Sequence, residues 1–344
     1  MMEVAGDYYK EREKEEEVDD DDVEKKVKQY HRRAQELQRI HKYNKAINYC
    51  QFSLNLMKGK PLNSLVGELY YTLANSYHRQ GKKQLKGINS KEKEGKEEEG
   101  EEEKAGIKSL HISLHYYNIC MQCSSNEAMM YWKSVEGLGN VHHLMGNYRE
   151  AIAYHGQFLD YSVRAGDVEA QQRTNTNLGH AYLLLGEAKL SHYYHWESLE
   201  LSIYLKNHVA EAQSYYSLGA LQLLVQNHKE ALKYFKKHLY LAQELNDKYG
   251  QCKSYWCIGK ALTSLGHYKS ALLFANKQFL LAEEICDYSQ CCTARKNMSD
   301  LLDAISKSQK KIQQSEVGAT GQKRKVQRSQ SSHARTSERG NNEM

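Results

Sequence analysis

Residues 137–167 read GLGNVHHLMGNYREAIAYHGQFLDYSVRAGD. The pair Leu138-Gly139 in this stretch recurs as Leu178-Gly179, Leu218-Gly219 and Ile258-Gly259, each time 40 residues on. Other positions keep the same frame. Seven residues after the glycine stand Gly146, Gly186, Gln226 and Gly266, and twelve after it Ala151, Ser191, Ala231 and Ala271. Tyr154, Tyr194, Tyr234 and Phe274 follow at fifteen, Leu159, Leu199, Leu239 and Phe279 at twenty, and Asp167, Asn207, Asp247 and Asp287 at twenty-eight. Six positions in register over four units define an internal repeat of stacked supersecondary units.

Each position has a physical reason. A glycine inside a helix leaves room for a second helix to lie on its backbone. The second glycine suits the left-handed residue that ends a helix. The small residue at twelve lets the second helix approach the first. The Tyr and Leu at fifteen and twenty have helical spacing and are expected to fill the space between neighbouring hairpins. Asp or Asn at twenty-eight suits the N-cap of the next unit. Each unit is therefore a hairpin of helix A and helix B that cannot bury its apolar face alone and must stack.

The frame extends outward. Ala34 and Ala74 take the first-glycine position, Ala46 the small position and Gly81 the second-glycine position. Ala74 and Gly139 are 65 apart, one unit plus 25 residues, and the surplus is a charged, glycine-dotted run at about 82–108 with eight acids and eight bases. This composition predicts a flexible loop or a solvated helix. After Asp287, Ser299 takes the glycine position of a closing helix A. The expected organisation is an acidic disordered head at 1–28, a solenoid of about six hairpins at 29–303 carrying the insertion, and a basic disordered tail at 304–344.

Composition agrees with an all-α chain. One proline, Pro61, in 344 residues argues against a turn-rich β protein. No apolar run approaches the roughly 20 residues of a membrane span, and the N-terminal residues lack the apolar core of a secretory signal. The eight cysteines, including Cys120-x-x-Cys123 and adjacent Cys291 and Cys292, have no second pair at zinc-ribbon spacing and read as reduced, packed thiols. Together these point to the cytoplasm. The basic run KRKV at 323–326 is a nuclear-import-like signal beside that expectation. The net charge of +5 is no single basic face, because residues 1–28 hold twelve acids and six bases and residues 303–344 four acids and nine bases. With no aromatic residue interleaved in the tail, nucleic acid is not an expected partner.

No catalytic arrangement stands out: the chain has no P-loop, GxGxxG, HExxH or GxSxG. His192 and His195 could share a helix face but lack a third ligand. The Asp19–Asp22 run lacks the alternation and glycine of a calcium loop. The expectation is a non-catalytic protein with no cofactor, no metal and no small-molecule substrate.

A helical hairpin with this small–aromatic–leucine spacing resembles the tetratricopeptide repeat, and the 40-residue form resembles the G-protein-signalling modulator family that includes Pins. The motifs that carry this are the opening stretch, NLGHAYLLLGEAKLSHYYHWESL at 177–199, AEAQSYYSLGALQLLVQNHKEALKYFKKHLYLAQELND at 210–247 and RKNMSDLL at 295–302. The resemblance implies a superhelix whose inner face, built mostly by helix A, holds peptides from polarity and spindle-orientation partners. Counted from the repeat frame, the inner face carries Lys133, Arg173, Gln213 and Lys253 six residues before each glycine. Tyr71, Glu136, Thr176, Tyr216 and Trp256 stand three before it, and His78, His143, Leu183, Leu223 and Thr263 four after it. The family places Asn directly after the glycine. Here Asn75 and Asn140 keep it, whereas His180, Ala220 and Lys260 depart. The family's C-terminal Gα-binding motifs need an aromatic start, and the tail after Lys307 holds no Phe, Tyr or Trp.

The candidate groove is thus Lys133, Asn140, His143, Arg173, His180, Gln213, Tyr216, Lys253, Trp256 and Lys260, and its basic row favours an acidic peptide of a protein partner. The expected function is a non-catalytic scaffold in cell polarity or spindle orientation. The alternative is a structural assembly component, of a cilium or a chromatin complex, acting through tails or the convex face.

Overall fold

The computed structural model describes residues 20–59, 64–90, 96–124 and 129–310. Thirteen helices and no strand occur among the described residues. They are α1 (Asp20–Arg39), α2 (Tyr43–Leu56), α3 (Ser64–Ser90), α4 (Lys96–Cys123), α5 (Met129–Leu144), α6 (Tyr148–Arg164), α7 (Val168–Leu184), α8 (Ala188–Tyr204), α9 (His208–Leu224), α10 (His228–Glu244), α11 (Lys248–Ser264) and α12 (Tyr268–Glu284). A final helix, α13, covers 288–310. Contacts divide the chain into two compact units, residues 1–201 and 202–344. The first unit holds the hairpins α1/α2, α3/α4, α5/α6 and α7/α8, with the last residues of α8 counted in the second. The second holds α9/α10, α11/α12 and α13. In the first unit each helix from α1 to α6 packs on the next, and helices A also meet each other, α1 on α3 and α3 on α5.

The repeat positions act as their chemistry dictates. Gly186 ends α7 with φ 82°, a left-handed residue whose N–H, with that of Glu187, returns to carbonyls of the last turn. Gln226 takes the same conformation, φ 59°, at the equivalent place. The side chains of Asp167, Asn207, Asp247 and Asp287 each accept the N–H three residues on, at 2.9–3.1 Å, and cap α7, α9, α11 and α13.

The core column, however, lies one residue beyond the expected aromatics. Tyr154, Tyr194, Tyr234 and Phe274 are only half-buried. At sixteen residues after the first glycine stand His155, His195, Phe235 and Ala275, all fully or almost fully buried. A Cβ on Gly139 would lie 2.7 Å from the His155 ring, on Gly179 2.6 Å from the His195 ring and on Gly219 2.7 Å from the Phe235 ring. The glycine of helix A therefore exists to seat that ring. Gly259 faces the short Ala275 and has nothing nearer than 3.9 Å. Cys50 and Tyr117 fill the same place in the first two hairpins, buried against α1, α3 and their neighbours.

Three expected boundaries shift. Residues 20–28, expected in a disordered head, form the first turns of α1, because Val27 is completely buried with Leu65, Val66 and Leu69 of α3. Residues 304–310, expected in the tail, continue α13, whose Leu301 closes the core of the second unit against Ile258 and Leu262. Gly81 does not end a helix. It lies inside α3, where a Cβ would meet Gly106 O and Leu110 at 2.9 Å, so the close approach of α4 holds the chain helical through it. Both arms of the insertion are helical at 82–90 and 96–108, and Ser109 Oγ donates to Gln84 across them at 3.0 Å. Ser113 donates to the Ala74 carbonyl, 39 residues back, as Ser191 does to that of Gly179, 12 residues back. The insertion thus adds 27 residues to the second hairpin. Pro61, residues 1–19 of the head, residues 311–344 of the tail and the run at 323–326 lie outside the described residues.

Candidate functional site: a basic groove on the A helices of the first unit

The floor of the groove is set by polar bonds between α1 and α3. Gln38 donates to the Thr72 carbonyl and to Ser76 Oγ, both at 2.6 Å. His31 Nε2 meets Thr72 Oγ1 at 2.8 Å, and its Nδ1 lies 3.6 Å from the Glu68 carboxylate. Burial nevertheless holds the His31 imidazole below its ordinary pKa, against the pull of Glu68. These residues stand three before and four after Ala34, which are the inner-face positions of the repeat frame.

Two adjoining cavities open on this floor. One, of about 460 Å³, lies between α1, α3 and α5, with Arg39, Glu68, Tyr71, Arg79 and Lys133 on its walls. The other, of about 680 Å³, shares Tyr71, Arg79 and Lys133 with it and adds Asn75, His78, Lys82, Lys83, Glu136 and Asn140. Bases outnumber carboxylates, and one of the two carboxylates has a charged partner. Glu68 faces His31, and Glu136 pairs with Arg173 of α7 at 3.7 Å. Burial pushes Glu136 above the usual carboxylate range, and Arg173 pulls it back. Burial also holds His78 neutral, down to about 4, with Lys82 and Arg79 adding to the effect, and pushes Tyr71 up to about 12. Among the described residues Arg39, Arg79 and Lys133 form no ion pair with a carboxylate, so the field in the groove is positive.

The structure brings together Lys133, Asn140 and Arg173 of the expected row in this unit. Lys133 and Arg173 are exposed and Asn140 half-buried, and Asn140 Oδ1 accepts from Asn177 at 3.1 Å, leaving its amino group to donate elsewhere. His143 and His180 stand deeper. Burial lowers both, His180 to about 4, and the His180 ring meets the edge of His195 at 4.8 Å. They belong to a histidine layer over the core more than to the basic wall.

The second unit carries Gln213, Tyr216, Lys253, Trp256 and Lys260. Gln213, Lys253 and Lys260 are exposed. The Lys260 ammonium sits 4.5 Å from the Trp256 ring centre, a cation–π contact that occupies both. Tyr216 packs against Phe235 and His238 and is held above the ordinary phenol range, at about 12, by burial. Tyr216 is therefore partly a core residue.

The expected row left out His31, Gln35, Gln38, Arg39, Glu68 and Arg79. The signal was present: Arg39 and Arg79 are 40 residues apart, and the frame counted from Ala34 gives His31, Gln35 and Gln38 directly. No group of three or more His, Cys, Asp or Glu among the described residues is placed to hold a metal ion, and no helix among them is long and apolar enough to cross a membrane.

A family model described as tetratricopeptide repeat matches residues 134–169, which span most of α5, its turn and α6. The repeats are of the tetratricopeptide type. No curated protein matches the sequence. Solved tetratricopeptide-like structures agree with the fold. A signal transduction ATPase with numerous domains from Pyrococcus horikoshii, with a tetratricopeptide repeat sensor, superposes with a TM-score of 0.65 at 16% identity, over 81% of this chain and 39% of that one. Aspartyl phosphate phosphatase F from Bacillus subtilis gives 0.58 at 14%, over 75% and 63%. The apo form of RapI gives 0.56 at 14%, over 82% and 99%. At these identities the likeness shows the fold, and the tetratricopeptide hairpin is what places the A helices side by side.

Proposed function

We propose that the chain is a protein-interaction scaffold whose first unit binds acidic peptide segments of its partners along the A-helix groove. The observation that carries this is the pair of adjoining cavities that share Tyr71, Arg79 and Lys133, with Arg39, Lys82 and Lys83 beside them and the Glu136 carboxylate already paired with Arg173. A peptide carboxylate entering there meets Arg79 and Lys133 in charge-assisted hydrogen bonds. Asn75 and Asn140 offer amides that can pair with a peptide backbone. Lys253 provides a similar chemistry on the second unit's own A helices. The finer reading, a polarity or spindle-orientation adaptor, draws its support from the 40-residue register and the Asn75 and Asn140 positions. Titrating the full chain against arrays of acidic and basic synthetic peptides tests the groove. Acidic peptides should bind, and Arg79→Glu with Lys133→Glu should abolish that binding. Acidic peptides that bind equally well after both reversals would sink the reading.

A further inference from the structure

We propose that the outer face of the second unit's B helices, α10 and α12, is a docking surface for an anionic lipid bilayer. The inference is independent of the groove reading above. Phe235 and His238 of α10 and Ala275 and Gln278 of α12 are buried. The helical period therefore turns the positions ten, fourteen, seventeen and twenty-one residues after the first glycine outward, in one stripe about 17 Å long. On α10 that stripe is Lys229, Lys233, Lys236 and Tyr240, and on α12 it is Lys269, Leu273, Asn276 and Leu280, all exposed. Lys237 and Lys277 flank it, their ammonium groups over the rings of Tyr215 and Phe274. Both helices pack on α11 and share one core cluster with it, so the two stripes lie side by side.

The repeat does not require this chemistry. At twenty-one, where α10 and α12 carry Tyr240 and Leu280, α6 and α8 carry Asp160 and Glu200, and at eighteen α8 carries Glu197 where α10 and α12 carry lysine. Of the acids of α10 and α12, Glu230 pairs with Lys233 at 2.6 Å, and Glu244, Glu283 and Glu284 lie in the last turn. Among the described residues Lys229, Lys236 and Lys269 form no ion pair with a carboxylate. Lysines alone suit any polyanion. Tyr240, Leu273 and Leu280, which are 62%, 55% and 56% exposed in the same stripe, narrow the choice. A nucleic-acid backbone offers an aliphatic side chain no apolar surface. A bilayer interface takes it in, while lysine stems lie along the acyl boundary and their ammonium groups reach the headgroups.

The test sediments the full chain with large vesicles of phosphatidylcholine, or of phosphatidylcholine with about one third phosphatidylserine, at about 0.1 M salt. The chain should bind the anionic vesicles and not the neutral ones. Each lysine near such a surface contributes about fivefold to partitioning, so Lys229→Gln with Lys236→Gln and Lys269→Gln should weaken binding on the order of a hundredfold. Leu273→Ser with Leu280→Ser should weaken it about tenfold. All five side chains are exposed, and far-UV circular dichroism should show both variants folded like the parent. No binding of the parent to anionic vesicles, or binding that survives the lysine replacements, overturns the proposal. So does binding that is lost with the lysines and untouched by the two serines, which would mark a surface for polyanions such as duplex DNA.

Discussion

Acid should destabilise this protein, and two of its buried histidines should contribute a separable part of the effect. His155 and His195 fill the place that Phe235 fills in the second unit, yet both ring nitrogens of each are buried without a partner. Burial pushes His155 down to about 4 and His195 down to about 3. In the unfolded chain both return to about 6.5. Below pH 6.5 the unfolded chain binds protons that the folded chain refuses, so stability falls as the pH falls, until each folded-state pKa is reached. The slope is about 1.4 kcal/mol per pH unit for each ring. Between pH 7 and pH 5 the loss is about 2 kcal/mol per histidine, or about 4 kcal/mol for both. Phenylalanine fits the same seat, because a Cβ added to the facing glycine would lie 2.7 Å from the ring both at Gly139 against His155 and at Gly219 against Phe235. Urea unfolding followed by far-UV circular dichroism at pH 7 and pH 5, on the parent and on His155→Phe/His195→Phe, measures the difference. The double variant should keep about 4 kcal/mol more of its stability at pH 5 than the parent keeps. An equal acid loss in both chains would refute the assignment of the effect to these rings.

Other outcomes follow from particular contacts. Gly179→Ala brings a Cβ to 2.6 Å from the His195 ring and should cost about 2 kcal/mol. Gly259→Ala meets nothing within 3.8 Å of the added carbon, its nearest neighbour being Ala271 O at 3.9 Å. It should be neutral or stabilising by up to about 1 kcal/mol, and thermal unfolding of the two variants separates the cases. Asp247→Ala removes the cap on the Gly250 N–H and should cost about 1 kcal/mol in urea unfolding. At pH 8 an alkylating reagent should label exposed Cys286 first, and Cys50, whose thiol burial pushes up to about 12, only on unfolding, as read by peptide mass spectrometry.

The repeat was legible because its determinants are local and discrete. A left-handed turn, a helix cap and a glycine under a ring each demand a narrow set of residues at a fixed position, so Gly186, Asp167 and Gly139 announce the hairpin by themselves. The core column at sixteen was not legible. Its occupants, Cys50, Tyr117, His155, His195, Phe235 and Ala275, share burial and share no chemistry, whereas the conspicuous tyrosines one residue earlier lie at the edge. The end of α3 was misread for a related reason. Gly81 has the identity of a helix terminator, but packing of Gly106 and Leu110 against it, across the insertion, decides its conformation. At the candidate site, the frame gave Lys133, Asn140 and Arg173 their shared face. That Glu136 turns to Arg173, and that Arg39 and Arg79 join Lys133, are consequences of which helices A lie side by side.

Acidic peptides seated on the A-helix face of the first unit would shield the lysines of that face. Lysine-acylation footprinting of the full chain, with and without a saturating glutamate-rich peptide, measures that shielding. Lys133 borders both cavities, whereas Lys189 is exposed at the start of α8 and lines neither. The peptide should slow acylation of Lys133 several-fold and leave Lys189 unchanged. Equal protection of both lysines, or protection of Lys189 alone, would contradict it.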